Sequence, residues 1–145
     1  SLPPDVMRTR VEETLDLLGI ADLRDRPLRA LSGGQQQRVA IGSVLTCHPR
    51  VLVLDEPTSG LDLAARHEFM ELVRGVARAG TTLLLVTHHT EEIVPEIGRV
   101  LLLKAGRVLA DGPTAEVLTE ASLSALFDVP VAVDRVGGYV YARPA

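Results

Sequence analysis

Two short runs of this sequence carry residue types suited to phosphate chemistry. The first is Leu31-Ser32-Gly33-Gly34-Gln35, followed directly by Gln36-Gln37-Arg38-Val39-Ala40. A helix start offers backbone N–H groups without intrahelical partners and the positive end of the helix dipole, so anions bind there. Gly33 and Gly34 would let a phosphate approach the backbone. The Ser32 hydroxyl can donate to a phosphate oxygen or cap its own helix. Taken alone, the run reads more readily as a well-capped helix after a loop. The second run is Val51-Leu52-Val53-Leu54-Asp55-Glu56, four apolar residues and then two carboxylates. In open α/β sheets, ligands bind outside the C-terminal ends of the strands. One carboxylate there can hold Mg²⁺, usually through water, because Mg²⁺ prefers oxygen ligands and keeps part of its hydration shell. The next can orient or deprotonate a water. A strand end capped by solvated acids is an equally good reading of this run by itself.

Thr87-His88 follows a second apolar run, Leu83 to Val86. If the two runs are parallel strands of one sheet, Glu56 and His88 reach the same crevice. A histidine there can hydrogen-bond a γ-phosphate and an attacking water. His88, His89, Glu91 and Glu92 also form a cluster, but their spacing matches no zinc pattern. In Ser59-Gly60-Leu61-Asp62, Asp62 is placed as an N-cap. His48 and His67 receive no role. Cys47 is expected to be a small buried residue, and Phe69 and Phe127 are expected in the core.

The elements that position these residues follow from spacing. Val6 to Ile20 carries Val11, Leu15, Leu18 and Ile20 at helical intervals, ending near Gly19. Ala21 to Arg29 reads as a short helix or turn, then a loop. Ser32 with Gln35 makes a capping-box pattern, opening a helix to about Cys47 or His48 that Pro49 stops. Val51 to Leu54 and Leu83 to Val86 lack polar alternation, which predicts parallel strands buried on both faces. Asp62 to Ala79 between them is a helix with Leu63, Phe69, Leu72, Val73 and Val76 facing inward. Together they make a βαβ unit with a right-handed crossover. Glu91 to Ile97 is expected to be a short helix. Val100 to Leu103 and Val108 to Ala110 are expected to form a hairpin. Thr114 to Leu118 and Ser122 to Phe127 are expected as short helices, before a β-rich tail.

Bulk properties bound the class. A chain of 145 residues suits one modest domain with its own core. Its 46% apolar and 23% charged residues fit a soluble globular protein, and a net charge of −4 argues against a dedicated nucleic-acid binder. A single cysteine excludes an internal disulfide framework and suits a reducing compartment. No run approaches the ~18–20 apolar residues of a membrane span, and no secretory signal opens the chain. The first residue, Ser1, suggests a processed, tagged or truncated start.

These elements, in this order and with these gaps, resemble the ATP-binding cassette (ABC) transporter ATPases over nearly the whole chain. Leu31 to Gln35 is similar to that family's signature motif, and Val51 to Glu56 to its Walker B strand with catalytic glutamate. Ser59 to Asp62 resembles the D-loop, and Thr87-His88 the switch histidine. The resemblance implies two cassettes closing head to tail on two ATP molecules. Each ATP lies on the P-loop of one subunit and under the signature helix of the other. Ser32, Gly33, Gly34 and Gln35 would then contact ATP held by the partner. Asp55 would support Mg²⁺, Glu56 would polarise water, and His88 would steady the γ-phosphate. Asp62 would communicate across the dimer, and the cycle would drive a membrane permease. That places the protein in the cytoplasm, peripheral on the inner face of the membrane.

Two departures stand out. His89 occupies a position where the family more often has an acid, which leaves it a competitor of His88. The P-loop requires Gly-Lys-Ser or Gly-Lys-Thr, yet Lys104 is the only lysine and precedes Ala105. The upstream adenine-stacking aromatic and Q-loop glutamine are absent too. The expected fold is therefore α/β: a partial P-loop NTPase-like parallel sheet with flanking helices, plus part of the ABC helical subdomain. Residues 1–48 would end the helical subdomain, 49–128 would form the second part of the catalytic core, and 129–145 a β-rich tail. Without a P-loop lysine, nucleotide affinity and charge stabilisation in the transition state are expected to fail in this chain alone. The segment from Thr87 through Leu118 is similar to importer cassettes for metals, metal chelates or oxyanions such as molybdate. Alternatives are a soluble ABC-type ATPase acting on nucleic acid or ribosomes, and a non-catalytic interaction fragment. Nothing basic or heptad-like supports the former.

Overall fold

The spacing of Val11, Leu15 and Leu18 predicts the first helix. The computed structural model, which describes residues 3–145, has α1 at Pro4–Leu17. Pro4 sits in its first turn, where a missing N–H costs nothing. Two 3-10 turns follow, Ala21–Leu23 and Leu28–Ala30. Helix α2 (Gly33–Leu45) starts after Ser32 and ends slightly earlier than Pro49 requires. Then come β1 (Val51–Asp55), α3 (Leu63–Arg78) and β2 (Thr82–Val86). β1 pairs with β2. The Thr82 amide donates to the Arg50 carbonyl at 3.1 Å, so the two strands begin side by side, as parallel strands do. The chain divides into two units, Ser1–Leu84 and Leu85–Ala145.

In the first unit the buried side chains follow the helical stripes. Leu18, Ile41, Leu45, Leu52, Leu54, Phe69, Met70, Val73 and Val76 are all buried. α1 and α2 approach closely at Gly42, where an added Cβ would lie 2.8 Å from Leu18 Cδ1 and 3.4 Å from Thr14 Cγ2. On α3 the Arg74 guanidinium hydrogen-bonds Glu71 at 2.8 Å and holds its carboxyl below the usual range.

The second unit holds β3 (Arg99–Lys104), β4 (Arg107–Pro113), α4 (Thr114–Val117), α5 (Glu120–Phe127), β5 (Val131–Val136) and β6 (Tyr139–Pro144). Both strand pairs are antiparallel, with a bulge between Leu102 and Leu103. Their two-residue turns, Ala105-Gly106 and Gly137-Gly138, have positive φ throughout, the geometry that matches strand twist. Leu102, Val117, Leu118, Leu123, Val131 and Val140 form the core.

Several expectations are corrected. β1 and β2 are not buried on both faces. Leu52 and Leu54 point inward, but Val51, Val53, Leu84 and Val86 are about half exposed or more. Period-2 alternation therefore governs strands whose residues are apolar on both sides, and the side chains of one face stay exposed. Glu91 to Ile97 is not a helix, only a 3-10 turn at Thr90–Glu92, because Pro95 offers no N–H and disfavours helical backbone at Val94. Cys47 is exposed, since α2 has already ended and the residue lies off its apolar stripe. Leu63 is 84% exposed in the open first turn of α3. Phe127, the last residue of α5, is also exposed, while Phe69 is buried as expected.

The Gly42 contact gives a direct check. Gly42→Val should overpack the α1–α2 contact and lower unfolding stability by about 1–3 kcal/mol. Urea unfolding reads this, and an unchanged midpoint would show that the helices can part without cost.

Candidate functional site

The first unit arranges three of the predicted motifs around the start of α2. The Ser32 side chain accepts from the Gln35 backbone amide at 3.3 Å, and the Gln35 side-chain oxygen Oε1 accepts from the Ser32 backbone amide at 3.0 Å. This capping box is complete. It leaves the amides of Gly33 and Gly34, at the first two helical positions, with no carbonyl of their own helix to reach. Gly33 is exposed, and a Cβ there would meet nothing within 4 Å, so the space where a side chain would stand is open. A Cβ on Gly34 would lie 3.6 Å from Ala65 Cβ, so Gly34 faces the start of α3.

The three residues after the capping box fix this helix start from three sides. The Gln36 side-chain nitrogen Nε2 donates to the carbonyls of Leu28 (3.3 Å) and Leu31 (3.1 Å), holding the preceding loop. The Gln37 side chain donates to the Pro57 carbonyl, just past β1. The Arg38 guanidinium pairs with Glu68 on α3. Consecutive helical residues project about 100° apart, so a run of three long donors can reach three neighbours. Their side-chain roles escape a sequence reading that treats them only as helix formers. Three successive long polar donors beside two glycines are the available signal.

β1 delivers Asp55 and Glu56 to its C-terminal end, both exposed. Glu56 has φ +43, a left-handed backbone that non-glycine residues seldom adopt and that concentrates at functional sites. The Glu56 carbonyl accepts from the Ser59 amide at 3.1 Å, and Thr58 is buried beneath this turn. The Asp62 carboxylate accepts from the Ala65 amide at 2.8 Å, which caps α3. Exposed carboxylate oxygens at a strand end suit Mg²⁺, which takes one or two protein carboxylates and completes its shell with water and phosphate. A cleft in this unit is lined by Asp16 to Gly19, Arg38, Glu68, Glu71 and Leu72, and includes none of these motif residues. Ser32 and Gly33 at the helix start, and the carboxylates Asp55 and Glu56, are all exposed.

In the second unit, Thr87 leads into the histidine pair. The ring centroids of His88 and His89 are 4.0 Å apart. His88 is exposed. His89 is more enclosed, with Nδ1 3.7 Å from the Glu91 carboxylate. The Thr87 hydroxyl donates to Glu92 Oε2 at 2.5 Å and accepts from the His89 amide at 3.0 Å. Among the described residues no group of three or more His, Cys, Asp or Glu is placed to hold a metal ion. No helix among them is long and apolar enough to cross a membrane.

The two caps make a prediction independent of any ligand. Ser32→Ala and Asp62→Ala should each lower stability by about 1 kcal/mol in urea unfolding, while Asp62→Asn should cost little. Equal stability of Asp62→Ala and the parent chain would contradict the capping geometry.

Comparison with known proteins points to one family. A family model described as ABC transporter matches residues 5–59. A Streptomyces coelicolor protein, provisionally named an ABC transporter ATP-binding protein, is 54% identical over 95% of this chain and 24% of its own length. The cobalt import ATP-binding protein CbiO of Rhodobacter capsulatus is 45% identical over 94% of this chain and 50% of its own. Among solved structures, cbiO1 of Clostridium perfringens, part of the ABC transporter complex cbiONQ, superposes with a TM-score of 0.73 at 41% identity. It covers 86% of this chain and 50% of that one. The chain thus spans between about a fifth and a half of the length of curated relatives it matches. Likeness of sequence and of α/β fold to these proteins establishes that the chain belongs to the ABC transporter ATPase family.

Proposed function

We propose that this chain carries the signature, Walker B, D-loop and switch-histidine part of an ATP-hydrolysing ABC subunit, and that the intact protein energises import of a solute across a membrane. The observation that carries the reading is the exposed start of α2, anchored by Gln36, Gln37 and Arg38. Its Gly33 and Gly34 amides and Ser32 hydroxyl offer donors to a triphosphate that another subunit holds. Asp55 would bind Mg²⁺, which supplies charge neutralisation on the phosphates. Glu56 orients and deprotonates the attacking water from its left-handed turn. His88, the more exposed ring of its pair, hydrogen-bonds the γ-phosphate. Asp62 caps α3 and carries the state of one site toward the other.

The partners in this reading are a second ABC ATPase subunit, docked head to tail, and a membrane permease subunit, with the protein on the cytoplasmic face. The CbiO relatives support an importer, and a metal, metal chelate or oxyanion is the solute class. The chain's only lysine supports inactivity of this chain alone. Lys104 donates to the Ala125 carbonyl and the Asp128 carboxylate at the end of α5, not to a phosphate loop.

With ATP and Mg²⁺ this chain should therefore show no hydrolysis above background. Supplying a P-loop-bearing N-terminal half of a CbiO relative should restore turnover, and Glu56→Gln should then lower it by about a hundredfold or more. Phosphate release measures both. Turnover by the chain alone, or a restored enzyme indifferent to Glu56→Gln, would overturn the assignment.

A further inference from the structure

The second unit buries one carboxylate that the proposed chemistry does not use. Glu92 is 1% exposed, although it lies in a 3-10 turn only four residues past His88. Burying a carboxylate is costly unless hydrogen bonds compensate. The Thr87 hydroxyl supplies one, at 2.5 Å to Glu92 Oε2. With its proton committed to Glu92, the Thr87 oxygen presents its lone pairs to the backbone. There it accepts from the His89 amide at 3.0 Å. Glu92 thus sets the Thr87 rotor, and Thr87 sets the peptide joining His88 to His89. The far side of the same turn is braced independently. The Ala142 amide on β6 donates to the Thr90 hydroxyl at 3.1 Å, and Gly138 lies so close that a Cβ there would be 3.0 Å from Pro95 Cγ.

We infer that Glu92, acting through Thr87, is a positioning residue for the His88–His89 pair. The buried carboxylate holds the peptide between the rings so that His88 stays presented at the surface while His89 is kept beside Glu91. This deepens the proposed function, since it rests on a histidine of this pair serving the γ-phosphate. The geometric part, the relay itself, stands without it.

The test uses nuclear magnetic resonance on this chain and turnover after complementation with the P-loop-bearing half. Thr87→Val removes the hydroxyl at nearly constant shape. Thr87→Ser and Glu92→Gln keep a hydroxyl and an acceptor oxygen respectively. Glu92→Leu is a second disruption, and Thr87→Val carries the test should that variant fail to fold. Thr87→Val should speed exchange of the His89 amide by about tenfold, the size of one hydrogen bond, and shift the ring signals of His88 and His89. Amides of Leu118, Leu123 and Val140 in the core should keep their protection, and both conservative variants should match the parent. In the complemented enzyme Thr87→Val should lower kcat with KM unchanged, and Thr87→Ser should restore it. Parent-like His89 exchange and ring signals in Thr87→Val would overturn the relay, as would an equal loss of protection throughout the core. An unchanged kcat in that variant would overturn its positioning role. Absent turnover from the complemented parent chain would instead overturn the functional reading, with the exchange result still deciding the relay.

Discussion

The start of α2 leaves two amides, those of Gly33 and Gly34, that the helix cannot satisfy from within. The capping box satisfies the neighbouring groups of Ser32 and Gln35 and so concentrates the unmet donors at the two glycines. Gln36, Gln37 and Arg38 then tie this turn to the loop before it, the loop after β1, and α3. An anion site built from backbone amides has no side-chain freedom to adjust, so its precision depends on holding the whole helix start still. The same bonds tie the amides to the strand that carries Asp55 and Glu56. A shift of α2 would therefore reach Pro57 directly, through Gln37.

The second unit solves a related problem with a buried polar side chain, Glu92. The Thr87–Glu92 hydrogen bond and the Thr90–Ala142 bond grip the turn after the histidines from two sides. Both rings are then borne by backbone that is held, although the turn contains no regular helix. In each unit a short irregular segment carries the proposed site residues, and side-chain hydrogen bonds supply the rigidity that periodic structure would otherwise provide.

Much of this was legible in the sequence because the signals were local. Ser32 with Gln35, and Asp62 three residues before Ala65, are caps whose partners lie within one turn. The Ala105-Gly106 and Gly137-Gly138 hairpins are written in turn chemistry. The failures came where the outcome depends on what lies across from a residue. Val51, Val53, Leu84 and Val86 are as apolar as Leu52 and Leu54, and composition alone does not say that one face stays uncovered. Cys47 and Phe127 have core-like side chains at helix ends, where the stripe that would bury them has stopped. Gln37 and Glu92 act through partners 20 and 5 residues away in orientations that spacing does not encode. Glu56's left-handed backbone likewise has no signature in its residue type.

The central claim is that the Ser32–Gln35 turn serves nucleotide held by another subunit. The most direct measurement is amide chemical shift at Gly33 and Gly34 in isotopically labelled chain. Spectra would be taken with ATP–Mg²⁺ alone, with an unlabelled, hydrolysis-deficient P-loop-bearing cassette alone, and with both. The account predicts that both glycine amides move only when cassette and nucleotide are present together. Equal movement with ATP–Mg²⁺ alone, or none with both present, would contradict it.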